Sequence, residues 1–311
     1  MWVYVARRIL SGVPILFGVA LVVFVVFHLL GGDPVYQMVG KHANEQQIAA
    51  LRHEYGFDQP KSVQFLEYLK QIVTFDYGRS FATRQPIRQM VLDGIGPSLT
   101  LAVPAFFFTT VFSILAALLM VFFNGRWPDR VGVVLCVLGM SIPMLAYILF
   151  GQYFFAHKLG WFPVFGFETG WLERFRTIAL PAVIWVIVSV GYDVRFYRTA
   201  LIEELRQDYV RTARAKGLGE FSIFLKHILK NGMLPVLTNI VVQIPLLVLG
   251  SFLLEKFFGI PGLGNMTIDA LRNSDFPVIK AMTTLCALLM IFGNLVTDIL
   301  YTVFDPRVRL S

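Results

Sequence analysis

Six stretches of the chain stay apolar for close to the ~20 residues a helix needs to cross ~30 Å of hydrocarbon. They run approximately from Ile9 to Leu30, Pro97 to Phe123, Val131 to Phe155, Ile178 to Tyr192, Leu234 to Leu254 and Val278 to Tyr301. The fourth is short for a span. The first is too long for a removed signal peptide and has no small-residue cleavage site, so the pattern predicts a retained span. The expectation is an all-α membrane protein: one transmembrane domain over residues 1–311 with six transmembrane helices.

Two connectors carry patterns of their own. The first, about residues 31–96, is too long for a simple loop. Asn44 can cap a helix with Ile48 and Leu51 one turn apart. Asp58 and Pro60 start a second, in which Val63, Leu66, Leu69 and Val73 recur at helical spacing, and Pro86 starts a third with Ile87, Met90 and Val91. A small helical cap follows, which either docks a partner or packs on the span ends.

The second connector, 193–233, divides in two. Asp208 can N-cap a short helix from Tyr209 to Lys216, in which Tyr209 shares a face with Ala213 and Val210 with Arg214. Gly217 ends it as a residue free to take positive φ. Ala213 and Ala215 are small enough to let another backbone approach. Next, Phe221, Phe224, Leu225, Ile228 and Leu229 form the apolar face of an amphipathic helix from Glu220 to Lys230, closed by Asn231 and Gly232, with Pro235 opening the fifth span. The basic connector either inserts into a groove on a partner or attracts anionic lipid headgroups.

Composition agrees with a bilayer as solvent: 56% of the 311 residues are hydrophobic and 15% charged. The formal net charge is +7. With the N-terminus inside, the inner segments account for that whole excess, as the positive-inside rule requires and a nucleic-acid-binding reading would not. Both termini and the 193–233 connector are therefore expected in the cytoplasm.

The spans contain Pro14, Pro104, Pro143, Pro181 and Pro245, which favours a bundle with a pathway over a simple anchor. Thr109, Thr110, Ser113, Ser141, Gln152, Asn239, Gln243 and Asn294 are uncharged polar positions, read either as glue between helices or as lining of a path. Asp298 is read as the one acid within a span, near its inner end and close to Arg307 and Arg309, which suits a structural role as well as a functional one. Cys136 and Cys286 fall inside spans and read as small hydrophobes. His28, His42, His53, His157 and His227 do not cluster, and no zinc spacing is present. The chain has no G-x-x-x-x-G-K-[ST] loop; "GIPGLG" fails the dinucleotide fingerprint at Thr267, and "HEYGF" departs from HExxH at Phe57. Any ATP hydrolysis must come from a partner.

The stretch "RTARAKGL" followed by "LKHILKNGMLPVLTNI" resembles the cytoplasmic loop of ABC importer inner-membrane permeases of the peptide and nickel branch. "YVARRIL", "GDPV", "YGFDQP" with "FLEYLKQIV", "DYGRS", "FFGIPGLG" and "DPRVRL" extend the resemblance along nearly the whole chain, toward the B-type subunit of dipeptide and oligopeptide permeases. One departure is visible. Leu234 and Pro235 follow Gly217 by eighteen residues, against about thirteen in the broader importer loop, and Arg211 or Thr212 stands near the place of that loop's glutamate. The resemblance implies a type I importer permease fold with a periplasmic helical loop, in the bacterial inner membrane. It makes Tyr209, Val210, Arg211, Thr212, Ala213, Arg214, Ala215, Lys216 and Gly217 the coupling helix. Implied partners are a second homologous permease, two ATPase subunits holding ATP and Mg, and an external binding protein. A nickel or other small-solute importer and an ion-coupled transporter stay open as alternatives.

Overall fold

The computed structural model describes residues 2–29, 35, 44–54, 56–168 and 170–304. Apart from one isolated bridge between Arg79 and Pro86, the regular structure among them is helical. α1 is Trp2–Leu29, α2 Glu45–Glu54, α3 Lys61–Thr74 and α4 Ile87–Phe122. α5 is Trp127–Ser141, and α6 is Met144–Gly151, which continues as a π-helical turn through Gln152–Lys158. α7 is Trp171–Leu205, α8 Asp208–Ala215 and α9 Glu220–Ile223; a π-helical turn, Phe224–Ile228, joins α9 to α10, Leu229–Leu249. α11 is Phe252–Phe258, α12 Leu263–Arg272 and α13 Phe276–Phe304. Five helical runs are long and apolar enough to cross a membrane, and α5 with α6 makes a sixth if that bent pair is one span.

α4 and α7 form the most extensive helix pair; α10 packs on both and on α13, while α1 lies against α13. Three buried clusters hold the bundle. One lies under the cap, where Ala20, Val23 and Phe24 of α1 meet Tyr68 and Ile72 of α3 and Val278 and Met282 of α13. A second gathers Leu101, Ile148, Ile184, Leu254 and Phe258. A third, at the other end, surrounds α8.

The helices depart from the sequence expectation in four places. The third span is not continuous: α5 and α6 meet at 86°. Pro143 disfavours helical backbone at the residue before it, and Ile142 is extended, with φ −93 and ψ 124. The fourth span is not short. α7 runs 35 residues, about 52 Å at 1.5 Å per residue, because the polar residues that ended the apolar run are satisfied inside the bundle. The third cap helix is simply the first turns of α4. On α3, finally, Val63, Leu66 and Val73 are exposed, while Tyr68 and Ile72 are buried. The stripe one position round wins because Phe65 meets Phe17 and Phe24 of α1 edge to face, at 5.6 and 5.1 Å.

Two carboxylates fasten the cap end. Asp275, before α13, accepts hydrogen bonds from the Ser80 hydroxyl and from the Phe81 and Ala82 amides, which is what "DYGRS" and the residues after it supply. Glu255 of α11 is fully buried. It accepts from Ser98 Oγ at 2.8 Å and from the Ser251 and Asn265 amides at 3.2 and 3.1 Å. Gly250 and Gly262 make room for it: a Cβ at either would lie 1.8 or 2.3 Å from a carboxylate oxygen. "FFGIPGLG" therefore supplies, in Gly262, part of the room in which amides on either side of it surround an acid.

Candidate functional site

The glycine-terminated basic helix exists, one residue earlier than its cap signal predicts. Gln207 is the extended N-cap residue and Asp208 already has helical backbone; no side-chain capping bond forms, contrary to the expected Asp208 cap. With Gln207 in the boundary position, the Asp208 carboxylate sits in the first turn, where it favours the positive end of the helix dipole and meets Arg211 at 3.4 Å. At the other end Gly217 N–H donates to Arg214 O at 2.9 Å and Leu218 N–H to Ala213 O at 3.3 Å. This paired pattern needs left-handed backbone at Gly217, and its φ is +78.

The nine residues of the predicted site divide between two faces. Val210 and Ala213 are buried within the chain, against Leu201 of α7, Ile223 of α9 and Ile228 of the π turn. The close approach expected at Ala213 is made within the chain: its small side chain seats α8 on its own bundle. Arg211, Thr212, Arg214, Ala215, Lys216 and Gly217 are exposed. Tyr209 is half-buried, and its hydroxyl donates to Glu204. Burial, then that hydrogen bond, push its phenol above the ordinary range, so it remains a donor.

The cations of the exposed face are not equally available. Arg214 makes a forked pair with Glu220 across the Gly217 turn, at 2.8 and 3.2 Å. Lys216 has no ion-pair partner among the described residues. Glu220 lies six residues from Arg214, beyond the i+4 spacing by which helix pairs are found in a sequence, so the pattern gave no sign of it.

The connection from α8 to the spans is tighter than a flexible loop. Asn231 and Gly232 do not close a separate amphipathic helix, and Pro235 does not open the next one. Helical backbone runs from Glu220 to Leu249 through the π turn, with Gly232 buried and Pro235 inside α10. The π turn shifts the register, so Ile223, Phe224 and Ile228 face inward while Phe221 and Leu225 are exposed. At Gly232 a Cβ would come within 2.7 Å of Leu201, so α10 crosses α7 closely there.

Polar contacts extend that grip. Arg198 of α7 forks onto Asp129 of α5, at 2.6 and 2.8 Å. Asp193, expected to begin the polar connector, is buried inside the bundle, where Asn239 Nδ2 and Gln243 Nε2 of α10 reach it at 3.4 and 3.5 Å. Asp298 is thus not the one acid within a span, since Asp193 also lies in one. The Asp298 side chain is outside the described residues. Of the other polar positions, Gln152 donates to the carbonyls of Val164 and Phe257, a link between segments.

Residues 109–310 match the family model of the binding-protein-dependent transport system inner membrane component, and residues 1–102 match that of the N-terminal part of such components. The chain is 36% identical over 306 residues to the glutathione transport system permease protein GsiC of Salmonella typhi, covering 98% of each protein. It is 35% identical over the same length to the proteins of that name from Escherichia coli strain K12 and Shigella flexneri serotype 5b, again covering 98% of each. The chain therefore belongs to the inner membrane components of binding-protein-dependent transport systems, as the multi-pass permease of an ABC importer whose ATPase activity lies in other subunits.

Proposed function

We propose that this permease imports short peptides, a class that includes the glutathione named for its relatives, and that α8 is the helix by which it receives motion from an ATPase. The carrying observation is the division of α8 into two faces. Val210 and Ala213 seat it on the ends of α4, α7 and α10, while Arg211, Ala215 and Lys216 are exposed on the other side, toward a partner. A push on the outer face then bears on α7 and α10 together, because the buried side of α8 packs against both. ATP shifts the balance of inward- and outward-open states only if the docked contacts differ between them. In this reading the termini and α8 are cytoplasmic, and α2 and α3 face outward. The working assembly holds a second homologous permease, two ATPases that bind ATP and Mg, and an external binding protein.

Co-purification with the ATPase subunits and ATP-dependent uptake of labelled dipeptide and glutathione test this. Loss of both on Ala215→Glu, with the chain still folded, is expected. Undiminished ATPase capture by that variant would remove α8 from the interface. Uptake that stops when the proton gradient is collapsed at constant ATP would point instead to ion coupling.

A further inference from the structure

At the cap end, away from α8, a cavity of about 820 Å³ opens between α1, α3, the turn after α2 and the start of α13. Its walls are aromatic: Phe24, Phe27, Phe57, Phe81 and Phe276 all line it. The charged residues described along it are Arg52, Lys61, Arg79, Lys280, Asp58 and Glu67. Both acids are engaged by other bases, Asp58 by His53 at 2.9 Å and Glu67 by Lys70 at 3.7 Å. Among the described residues, no carboxylate pairs with Lys280, whose ammonium lies 5.3 Å from the centre of the Tyr68 ring. The ring face attracts the cation without supplying a hydrogen-bond acceptor.

The same cavity holds a second unmet donor. Tyr77 lines the same cavity, and its buried hydroxyl has no hydrogen-bond partner among the described residues. The nearby Thr284 hydroxyl meets the Tyr68 hydroxyl at 3.1 Å and donates to Lys280 O at 2.9 Å. Burial pushes the Tyr77 phenol up to about 12, so it carries its proton at neutral pH.

We propose that this cavity binds a small carboxylate of short-peptide size, with Lys280 and Tyr77 receiving the carboxylate and the phenylalanines the apolar body. A half-buried cation and an orphaned hydroxyl each lack an acceptor, and a carboxylate offers an oxygen to each. The volume lies within the range of small-molecule sites, roughly 300–1,000 Å³. The proposal rests on the importer reading only for the side from which the ligand enters. Binding to the isolated permease is therefore measured apart from transport.

Full-length permease in lipid nanodiscs is titrated calorimetrically with the dipeptide Ala-Phe and with Ala-Phe amide. Saturable binding of the dipeptide is expected, roughly tenfold or more weakened by the amide and by Lys280→Met, largely kept by Lys280→Arg, and intermediate for Tyr77→Phe. Equal affinity for dipeptide and amide, or no saturation by about 10 mM, a binding energy near 3 kcal/mol or less, overturns it; both arms use the native protein and do not depend on any variant folding. Lys280→Met that leaves dipeptide binding unchanged but weakens capture of a binding protein also overturns it, by assigning the pocket to a protein carboxylate. Failure of any of these with ATP-driven uptake intact leaves the importer reading standing.

Discussion

At the scale of single residues, Gly217 separates conformation from sterics. Its φ of +78 disfavours any side chain, yet a Cβ there would meet nothing within 4 Å. Gly219, two residues on, is equally open and has φ −64. Gly217→Ala should cost about 1 kcal/mol of local backbone strain and lower peptide uptake in proteoliposomes, while Gly219→Ala leaves uptake near wild type; equal loss in both would mean that the exit angle of α8 does not matter. Ala213 and Ala215 form a second contrast. Ala213→Leu overpacks the buried seat, at about 1–3 kcal/mol, and should lower the chain's own melting midpoint. Ala215→Leu should leave that midpoint unchanged and weaken ATPase capture. The two alanines look alike in the sequence; only the position of Val210, 0% exposed, fixes which side of the helix faces home.

At the scale of elements, the sequence foretold which segments are helical far better than how they begin, bend and face. The glycine stop of α8 was legible because left-handed termination is local, set by neighbouring residues, whereas the expected Asp208 cap did not form. The burial of α3 was not, because its apolar positions fall on two adjoining stripes and the partner that chooses between them, Phe65 against α1, is distant in the chain. The break at Pro143 was audible only as a proline, which other spans carry without so sharp a turn. The length of α7 was hidden by Asp193 and Arg198, polar residues that a hydropathy count reads as an exit. Their partners, Asn239, Gln243 and Asp129, come from other helices. Breaking one of these joints has a definite consequence. Asp129→Ala leaves Arg198, about a quarter exposed, without its anion. The loss should be about 3 kcal/mol, somewhat less than for a fully buried pair because water reaches the guanidinium. Thermal unfolding of the purified chain measures it, and Arg198→Met in the Asp129→Ala background should recover part of the stability if the stranded charge is the cause.

At the scale of the whole molecule, the basic helix and the cap lie at opposite ends of the bundle, so the positive-inside assignment becomes a statement about where two named surfaces meet reagent. Ala215 on α8 and Val73 on α3 are both exposed, and Val73 is 82% so. With Cys136 and Cys286, both free and half-buried, replaced by serine, a single cysteine at 73 should react with a membrane-impermeant maleimide added to intact cells. One at 215 should react only after the inner membrane is opened. The charge distribution requires this pairing, since the basic residues around α8 favour the inner side and the cap carries no matching excess. Labelling of position 215 in intact cells would place α8 beyond reach of cytoplasmic ATP, and the coupling role proposed for it would fail even though the fold and family membership stood. Labelling of position 73 alone would place the cap outside and α8 inside, the arrangement that the proposed coupling role needs.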